Sequence, residues 1–395
     1  FWIHLGNPGL LVWAVAVFSL CMSFGVNSLS TDDATRLVQV RDLLAGQSWF
    51  DVTQYRLDPP VGVTMHWSRL LDLPLTLTIK FGSLFLSTAL AEKVVLIVWP
   101  TALLLVFLAG VSRLARELAG ETAACVALVF AVLMVPVLQN FRIGALHHHG
   151  IQLVLIVWAL ATFVNLRARA RDGAMAGLLC ALSVAIGQEM VPAVAMLAAM
   201  AALRWIVEGQ RYARMAAAYA LSLAAGTAVL GATTIAPGDY LTVHCDAISI
   251  AQIGALGLGG FGLAALTALP PLNSAVRRLA AAAGLAALLG VFLKLGAPQC
   301  LGDPYAQLDP RLAELWLSSV AEARSLSSLW RDLPQQVPAY YGVPLAALVL
   351  GIIRCLREQE QRRWNWIAAT ALQAAFVLLS IWQLRGATGG NALGA

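Results

Sequence analysis

Residues 94–112, VVLIVWPTALLLVFLAGVS, form an uncharged run bounded by Lys93 on one side and Arg113 on the other. A helix rises about 1.5 Å per residue, so a run of this length crosses the roughly 30 Å hydrocarbon core of a bilayer. Inside that core each backbone polar group needs an internal partner, which a helix supplies within one segment. The stretch therefore predicts a transmembrane helix over 92–112.

The composition extends this interpretation to the whole chain. Of the 395 residues, 59% are hydrophobic and 12% are charged, and the mean hydropathy is +0.76. These values lie outside the range of soluble domains. The net charge of +5 is explained by the bias that keeps Lys and Arg in cytoplasmic loops. We therefore expect an all-α polytopic membrane protein with no nucleic-acid partner.

Other apolar segments of transmembrane length follow along the chain, giving about eleven helices in a single domain over 1–395. The predicted spans are 9–28, 92–112, 121–140, 150–166, 173–188, 190–206, 214–235, 249–270, 275–296, 338–356 and 364–384. The chain begins with Phe1 and ends in Gly-Ala. We therefore expect that one or both ends of the natural protein lie beyond this sequence.

The apolar stretch 70–90, which carries Lys80, sets the orientation of everything after it. If it lies at the membrane interface, the Arg-rich loops all fall on the cytoplasmic side, whereas a crossing there turns them all outward. Those loops carry Arg113, Arg116, Arg167, Arg169, Arg171, Arg204, Arg211, Arg214, Arg277, Arg278, Arg354, Arg357, Arg362 and Arg363. We place 70–90 at the interface. Loops 29–91 and 297–337 then face outward, into the periplasm of a bacterial inner membrane.

Three short polar motifs fall on this predicted outer face. They are Ser30-Thr31-Asp32-Asp33, His147-His148-His149 and Ser319-Val320-Ala321-Glu322. Carboxylates and imidazoles are common ligands of divalent cations. Their position on one side of the membrane indicates an enzyme with a metal site.

Two of these motifs also have structural interpretations. Asp32 and Asp33 fit the N-cap of a helix over 34–44, a role compatible with metal binding or with orienting an acceptor. His147 and His149 share a face if their loop is extended, so both are candidate ligands of one cation. The alternative is a solvated interfacial cluster.

Glu322 and Arg142 are likewise open to two interpretations. Glu322 either joins the site or lies on the exposed face of an amphipathic helix over 315–326. Arg142 either assists with an anionic group or extends its side chain to the membrane interface, and we expect the second.

Cysteines and one hairpin add further expectations. Cys245 and Cys300 both fall in predicted outer loops, where an oxidising periplasm permits a disulfide. We predict that they pair, the alternative being two free thiols too far apart to bridge. Gln188-Glu189 lies in a tight hairpin between two spans, and the sequence leaves open whether it caps a helix or lines a polar cavity.

The order of these motifs resembles the catalytic subunits of oligosaccharyltransferases. Residues 29–33, LSTDD, and 41–46, RDLLAG, resemble the opening of that family's first external loop. Residues 55–59, YRLDP, and 65–72, MHWSRLLD, resemble its Tyr-Pro-x-Gly and His-Trp-Pro-Pro-Leu-Phe-Asp segments. The triple His resembles its Asp-His-His-x-x-Glu motif, and residues 319–322 resemble its Ser/Thr-Val-x-Glu motif. The similarity covers nearly the whole chain.

The resemblance implies a GT-C membrane fold with long first and fifth external loops, 29–91 and 297–337. It also implies transfer of a glycan from a polyprenyl (pyro)phosphate donor to an acceptor outside the cytoplasm. Asp32 or Asp33 would orient or deprotonate that acceptor, and Arg385 would contact the donor phosphate.

The same resemblance implies a divalent cation, Mn or Mg, with Zn as the alternative. Its implied ligands are Asp32, His147, His149 and Glu322, and Glu322 also counts among the catalytic residues. The segment that carries His66, Trp67 and Arg69 would line the substrate groove.

The sequence departs from the family at two positions. His147 stands where the family usually has Asp, and Gln152 stands where Glu is common. A neutral ligand in place of an anionic one weakens Mg or Mn binding. The family's Trp-Trp-Asp-Tyr-Gly motif and the C-terminal soluble domain that carries it are not in this sequence. Nothing in the sequence therefore points to an Asn-x-Ser/Thr acceptor.

We expect a membrane glycosyltransferase whose acceptor is a protein or a glycolipid, with room for partner subunits in a membrane complex. Two alternatives remain open. One is a non-catalytic GT-C-like structural subunit, which the His147 substitution favours. The other is a transporter of lipid-linked substrate, which predicts internal repeats that the sequence does not display clearly.

Overall fold

The computed structural model describes residues 29–165, 167–270, 272–303, 305 and 309–395. The predicted span 9–28 lies outside the described residues, and every later predicted span contains a helix. The helices are α1 (Thr31–Leu44), α2 (Arg69–Gly82), α3 (Thr88–Ala119), α4 (Glu121–Leu133), α5 (Val135–Leu138), α6 (His149–Phe163), α7 (Ala170–Ile186), α8 (Val191–Glu208), α9 (Gln210–Thr234), α10 (Ile250–Ala268), α11 (Ala275–Gly296), α12 (Pro310–Leu315), α13 (Leu326–Asp332), α14 (Val337–Arg357), α15 (Glu360–Trp382) and α16 (Arg385–Gly394).

Short elements connect these helices on the side that the sequence predicts to be the outer face. Strands β1 (Thr53–Gln54) and β2 (Val63–Thr64) pair antiparallel within the first loop. Single 3-10 turns occur at Gln139–Phe141, Pro237–Asp239, Pro298–Leu301, Leu317–Ser319, Ala321–Ala323 and Pro334–Gln336. The amphipathic helix considered for 315–326 is therefore wrong, because two separate 3-10 turns, Leu317–Ser319 and Ala321–Ala323, lie in that stretch.

The polytopic helical architecture predicted from composition is confirmed. Seven described helical segments are long and apolar enough to cross a membrane: α3, α8, α9, α10, α11, Pro334–Arg357 and α15. Helix α4 and Val135–Phe141 together make an eighth candidate, bent by 72° at their junction. Helix α6, with 15 residues, is shorter than its predicted span 150–166, whereas α7, with 17 residues, is slightly longer than its predicted span 173–188. The total of eleven spans stays a prediction.

Helix α2 explains how the stretch 70–90 is accommodated. It has 14 residues, which extend about 21 Å and fall short of the bilayer core. Its buried residues Leu71, Leu75 and Ile79 pack with Val40 of α1 and Val95 of α3. The first loop therefore forms a packed platform at one end of α3, and the placement of 70–90 at the membrane interface stays a prediction.

The bundle core depends on close approach between helices. Helices α7 and α9 meet at Gly173 and Gly177, where a Cβ atom at Gly177 would lie 2.3 Å from the carbonyl oxygen of Tyr219. Small residues at such a spacing allow membrane helices to pack backbone against backbone. Large side chains fill the space further along, with Phe107 and Tyr219 fully buried.

Helix α16 was not predicted. The chain turns after α15 ends at Trp382, and α16 packs against both α14 and α15. Glycines make this possible, since a Cβ atom at Gly389 would lie 2.4 Å from the Phe376 ring. Gln373 of α15 donates to the carbonyl oxygens of Pro344 and Gly390, both at 3.0 Å. The turn leaves Arg385 at the start of α16, on the side where the first and fifth loops meet.

Candidate active site

Asp33 joins the first loop to the triple-His motif. Its carboxylate is fully buried and accepts hydrogen bonds from the backbone N–H groups of Leu146 (2.8 Å) and His147 (3.0 Å). It also accepts from His147 Nδ1 (2.7 Å), Ser30 Oγ (2.6 Å) and Arg142 Nη2 (2.7 Å). Burial raises the pKa of Asp33, but the hydrogen bond and charge of His147, with the Ser30 and Leu146 donors, hold it well below its ordinary value.

These contacts revise two interpretations of the first motif. The N-cap of α1 is Ser30, whose Oγ accepts from the Asp33 backbone N–H at 3.2 Å, and not the Asp pair. Asp33 is a buried, ionised anchor with its oxygens already occupied, which fits a positioning role and not the catalytic one predicted for it. Asp32 is exposed, so its carboxylate is free to meet a substrate.

Arg142 also differs from expectation. Its guanidinium pairs with Asp33 at 2.7 Å while the side chain stays 38% exposed, so it turns inward to the site and does not extend to the interface. A buried carboxylate attracts a nearby guanidinium more strongly than the interface does. The sequence offered no signal for this pair, because its members are 109 positions apart.

A cavity of about 260 Å³ on the predicted outer face brings five of the predicted site residues together with Arg142. Its wall includes Asp32, Arg142, His147, His149, Glu322 and Arg385. Four separate parts of the chain contribute: the start of α1, the loop before α6, the fifth loop and the start of α16. The structure therefore brings together the three polar motifs and Arg385, as their common side of the membrane predicted.

Glu322 links the fifth loop to the rest of the site. It lies on the 3-10 turn Ala321–Ala323, with Oε1 3.6 Å from Arg385 Nη2 and Oε2 3.8 Å from His149 Nε2. The backbone N–H of Leu384 donates to the carbonyl oxygen of Arg324 at 2.8 Å, which ties the loop to the turn before α16. Glu322 and Arg385 are thus held near each other by backbone contacts as well as by charge.

A second polar cluster lies directly beside this cavity. His148 Nε2 is 2.7 Å from Glu189 Oε1 of the hairpin between α7 and α8, and the His148 and His149 rings are 4.5 Å apart. Burial raises the pKa of Glu189, but the charge and hydrogen bond of His148, with the charge of His149, hold it well below its ordinary value. The hairpin carboxylate therefore lines a polar site, one of the two roles left open for it.

The metal ligands that the resemblance implies differ from the group of potential ligands that lie closest together in the structure. In the described part of the chain, the group whose ligand atoms all lie within 4.8 Å of one another is His148, His149 and Glu189. His147 is held by Asp33 through Nδ1, and its Nε2 is 3.4 Å from Asn140 Oδ1. Alternate histidines share a face only in an extended loop, but α6 begins at His149. The chain therefore turns here, and His148 and His149 face the same cluster.

Trp67 and Arg69 do not form a groove. Trp67 is 7% exposed and lies under the Arg36 guanidinium at 4.7 Å. Arg69 is fully buried, and its Nη1 lies 3.1 Å from Asp72, which also pairs with Arg36 at 2.8 Å. These side chains build the platform under the site, and their burial gives no support to the predicted contact with substrate.

His66 is the exposed member of that segment. Its side chain is 45% exposed, and Nδ1 lies 3.9 Å from Asp246 Oδ2. Asp246 follows Cys245, which forms a disulfide with Cys300 across a Cα–Cα distance of 5.2 Å. The disulfide thus joins the two outer loops in which the sequence placed these cysteines, and it fixes the loop that faces His66.

Comparisons with known proteins place this geometry in a known fold. No protein-family model matches the chain, and no curated protein matches it. Among solved structures, it is similar to the archaeal oligosaccharyltransferase AglB from Archaeoglobus fulgidus in complex with an inhibitory peptide and a dolichol-phosphate. The TM-score is 0.72 at 16% identity, over 97% of this chain and 49% of that chain.

Two further structures of the Archaeoglobus fulgidus oligosaccharyltransferase agree. The apo form gives a TM-score of 0.71 at 16% identity, over 99% of this chain and 50% of that chain. The complex with Zn and sulfate gives 0.64 at 16% identity, over 97% and 47%. The chain thus spans about half the length of the structures it matches. Over nearly its whole length it has the fold of the archaeal oligosaccharyltransferases, a GT-C fold, which confirms the resemblance first seen in its motifs.

Proposed function

We propose that this protein is a membrane glycosyltransferase that moves a glycan from a polyprenyl (pyro)phosphate donor to an acceptor. The observation that carries the proposal is the meeting of Asp32, His149, Glu322 and Arg385 around one outer-face cavity. The fold adds support, since the similar archaeal enzyme is an oligosaccharyltransferase solved with a dolichol-phosphate and an inhibitory peptide. A phosphate-bearing lipid donor suits a cavity that presents a guanidinium beside apolar helices.

The chemistry follows from the charges that develop during transfer. Breaking the bond between the sugar C1 and the phosphate oxygen leaves negative charge on phosphate and positive charge on the sugar ring. Arg385 stabilises the departing phosphate, because preorganised positive charge lowers the barrier where negative charge accumulates. Asp32 faces the same cavity and accepts a proton or a hydrogen bond from the incoming acceptor. Attack from the face opposite the phosphate inverts the configuration at C1.

A divalent cation is part of the proposal. The archaeal neighbour was solved in complex with Zn and sulfate, and this chain has a compact group of two imidazoles and a carboxylate next to the cavity. When bound there, a cation supplies Lewis-acid neutralisation of the phosphate charge. The chain's own residues bind, orient and exchange protons with the donor and the acceptor.

The fifth loop gives the site a means of assembly. Glu322 is 44% exposed and lies on a loop of short 3-10 turns, so its position depends on the order of that loop. Contacts to His149 and Arg385 hold it over the cavity. We infer that donor and acceptor enter while this loop is displaced and react once Glu322 returns.

The proposal places the reaction on the periplasmic side of a bacterial inner membrane. Support comes from charge, since the Arg-rich turns lie at the opposite ends of the helices from the cavity and the positive-inside bias assigns such turns to the cytoplasm. The acceptor is a periplasmic protein or a glycolipid, and other membrane subunits can assemble with the chain.

One observation favours a non-catalytic relative as the second candidate function. His147, at a position where the family usually has a carboxylate, is committed to Asp33. A structural subunit needs this anchor and does not need the carboxylates of Asp32 and Glu322 at the cavity. Measured transfer separates the two candidates.

The experiment uses the purified chain in detergent with a radiolabelled polyprenyl-linked glycan pool and a membrane extract as acceptor source. We expect labelled product from wild type. Arg385→Ala lowers the transfer rate by roughly 10²- to 10³-fold, the usual effect of removing one transition-state donor. Arg331→Ala, an exposed arginine outside the cavity lining, is the matched control and leaves the rate unchanged. Equal rates in both variants would refute the assignment of this cavity.

A further inference from the structure

The cluster beside the cavity has the geometry of a ligand set. His148 is the residue before α6 and His149 is its first residue, so both imidazoles lie at one end of that helix. Glu189 reaches them from the hairpin between α7 and α8. The ligand atoms of all three lie within 4.8 Å of one another. One cation at the centre would contact each of them after shifts of less than about 1 Å, given metal–ligand distances near 2.0–2.2 Å.

Buried polar atoms without partners surround the same point. Within the described ranges, His148 Nδ1, Glu189 Oε2 and both side-chain amide atoms of Gln152 are buried and have no hydrogen-bond partner. A Cβ atom built on Gly187 would lie 2.6 Å from Glu189 Oε2 and 2.9 Å from Gln152 Nε2. The missing side chain of Gly187 therefore leaves room where these groups meet. Buried polar groups in native proteins are paired with few exceptions, so such a concentration calls for an explanation.

We propose that His148, His149 and Glu189 are the protein ligands of a zinc ion, with a fourth coordination position open toward Glu322 and Arg385. Two histidines and one glutamate are a donor set of catalytic zinc sites, in which the fourth position takes water or substrate. Imidazole ligands favour zinc over magnesium. The inference rests on the proposed function only for the role of the ion, because it names the ligands of the cation placed there.

Gln152 has a supporting role in this site. It lies one helical turn after His148 on α6 and is fully buried. Histidines that bind a metal usually donate their other ring N–H to a nearby acceptor, which fixes the ring. His148 Nδ1 and both side-chain amide atoms of Gln152 have no partner in the structure, so a bound ion that turned the His148 ring toward Gln152 would give its ring N–H this acceptor.

The open position faces the proposed reaction. A small cavity beside the cluster is lined by His149, Glu189, Glu322 and Arg385, among others. A phosphate oxygen there would meet the ion on one side and the Arg385 guanidinium on the other. The ligand set has therefore moved relative to the one that the resemblance implies. His147 is hydrogen-bonded to Asp33, and Glu189 supplies the carboxylate ligand of the ion.

The test measures zinc on the full chain in detergent and needs no transfer reaction. The protein is stripped with a chelator, given zinc chloride and desalted, and bound metal is counted by mass spectrometry. We expect about one zinc per chain, as for a single tetrahedral site. Glu189→Gln and His148→Ala lose stoichiometric zinc, and Gln152→Ala weakens its affinity by roughly 10- to 100-fold. Asp32→Asn is the matched carboxylate control and keeps wild-type affinity.

Melting temperatures of the stripped proteins separate lost ligands from lost fold. A Glu189→Gln variant that melts like stripped wild type, yet binds no zinc, supports the proposal. X-ray absorption of the wild-type zinc protein gives a second reading, two imidazoles with oxygen ligands, that does not depend on any variant. Zinc lost in Asp32→Asn but kept in Glu189→Gln, or no zinc on wild type, overturns the proposal. Stoichiometric zinc without glycan transfer would refute the proposed function alone.

Discussion

Replacing each of the two adjacent aspartates of the first loop by asparagine should have different effects on stability and on transfer. Asp33→Asn removes a charge that holds together α1, the loop before α6 and the His147 ring. Asp32→Asn removes a charge that only faces the cavity. The first change should therefore damage stability, and the second should damage transfer while leaving the fold intact.

The size of the Asp33 effect follows from its contacts. Asparagine keeps one oxygen for the backbone N–H groups of Leu146 and His147, but it places an amide donor against the other donors. Hydrogen bonds to a charged group contribute about 1.5–3 kcal/mol each. The Arg142 pair is worth less than about 1 kcal/mol because that side chain is 38% exposed. We expect a loss of about 2–4 kcal/mol, against about 0.5 kcal/mol or less for Asp32→Asn.

The assay is unfolding in mixed micelles by titration with dodecyl sulfate, followed by tryptophan fluorescence and fitted for the free energy of unfolding. Wild type, Asp32→Asn and Asp33→Asn are compared in the same detergent at pH 7. Equal stability of the two variants, or a larger loss in Asp32→Asn, would refute the assignment of Asp33 as the anchor.

The dependence of stability on pH distinguishes the same two aspartates in a second way. The pKa of Asp33 in the folded protein lies well below its ordinary value of 3.8, so below about pH 4 the unfolded chain binds more protons than the folded one. The Asp33 contribution is therefore complete above pH 4 and is lost as the pH falls toward the folded pKa. Wild type and Asp32→Asn should lose stability over this window more steeply than Asp33→Asn does.

Three further variants are measured by the same titration. Gly177→Ala places a methyl group against the Tyr219 carbonyl, forces α7 and α9 apart and costs about 1–3 kcal/mol; an unchanged free energy would contradict the close contact. Cys245→Ser opens a disulfide to Cys300 across 55 positions, which costs about 4 kcal/mol by chain entropy, and thiol reductant should destabilise wild type but not the variant. Asp72→Asn leaves the buried guanidinium groups of Arg36 and Arg69 without their carboxylate partner and costs about 3–5 kcal/mol, so a mild effect would show that water reaches them.

Much of the fold is predictable from the sequence because a bilayer imposes a simple rule on length and polarity. Runs such as 94–112 have no stable alternative to a helix. Helix α16 escapes this rule. Its Gly-rich sequence has low helix propensity, and it forms only because α14 and α15 offer surfaces that glycines can approach. Packing of that kind is not visible in local sequence.

The sequence motifs predicted which parts of the chain meet at the site. They did not predict which residues contact one another there. Asp32, Glu322 and Arg385 converge as expected, because the membrane restricts them to one face. The roles of His147 and His148 were exchanged, since the direction in which a side chain points depends on where α6 begins. Glu189 was visible in the sequence as a charged residue in a tight hairpin. Its partner His148 became clear only when the fold placed the two 2.7 Å apart.

Burial explains the remaining differences between the predicted site and the structure. Arg69 carries a charge and lies in a loop segment that the resemblance assigns to the groove, yet its side chain is fully buried with Asp72. A buried charge is stable when it is paired with an opposite one. The sequence contains both partners three positions apart, but this spacing alone does not tell a buried pair from an exposed one.

In the proposed function, the outer-face cavity transfers a lipid-linked glycan and Asp32 acts on the acceptor. Donor binding and transfer are measured for wild type and Asp32→Asn with one radiolabelled polyprenyl-linked glycan preparation. We expect equal donor binding and a transfer rate roughly 10²- to 10⁴-fold lower in the variant, the usual contribution of a general base. Donor bound by wild type without any transfer, or equal transfer by both proteins, would contradict it.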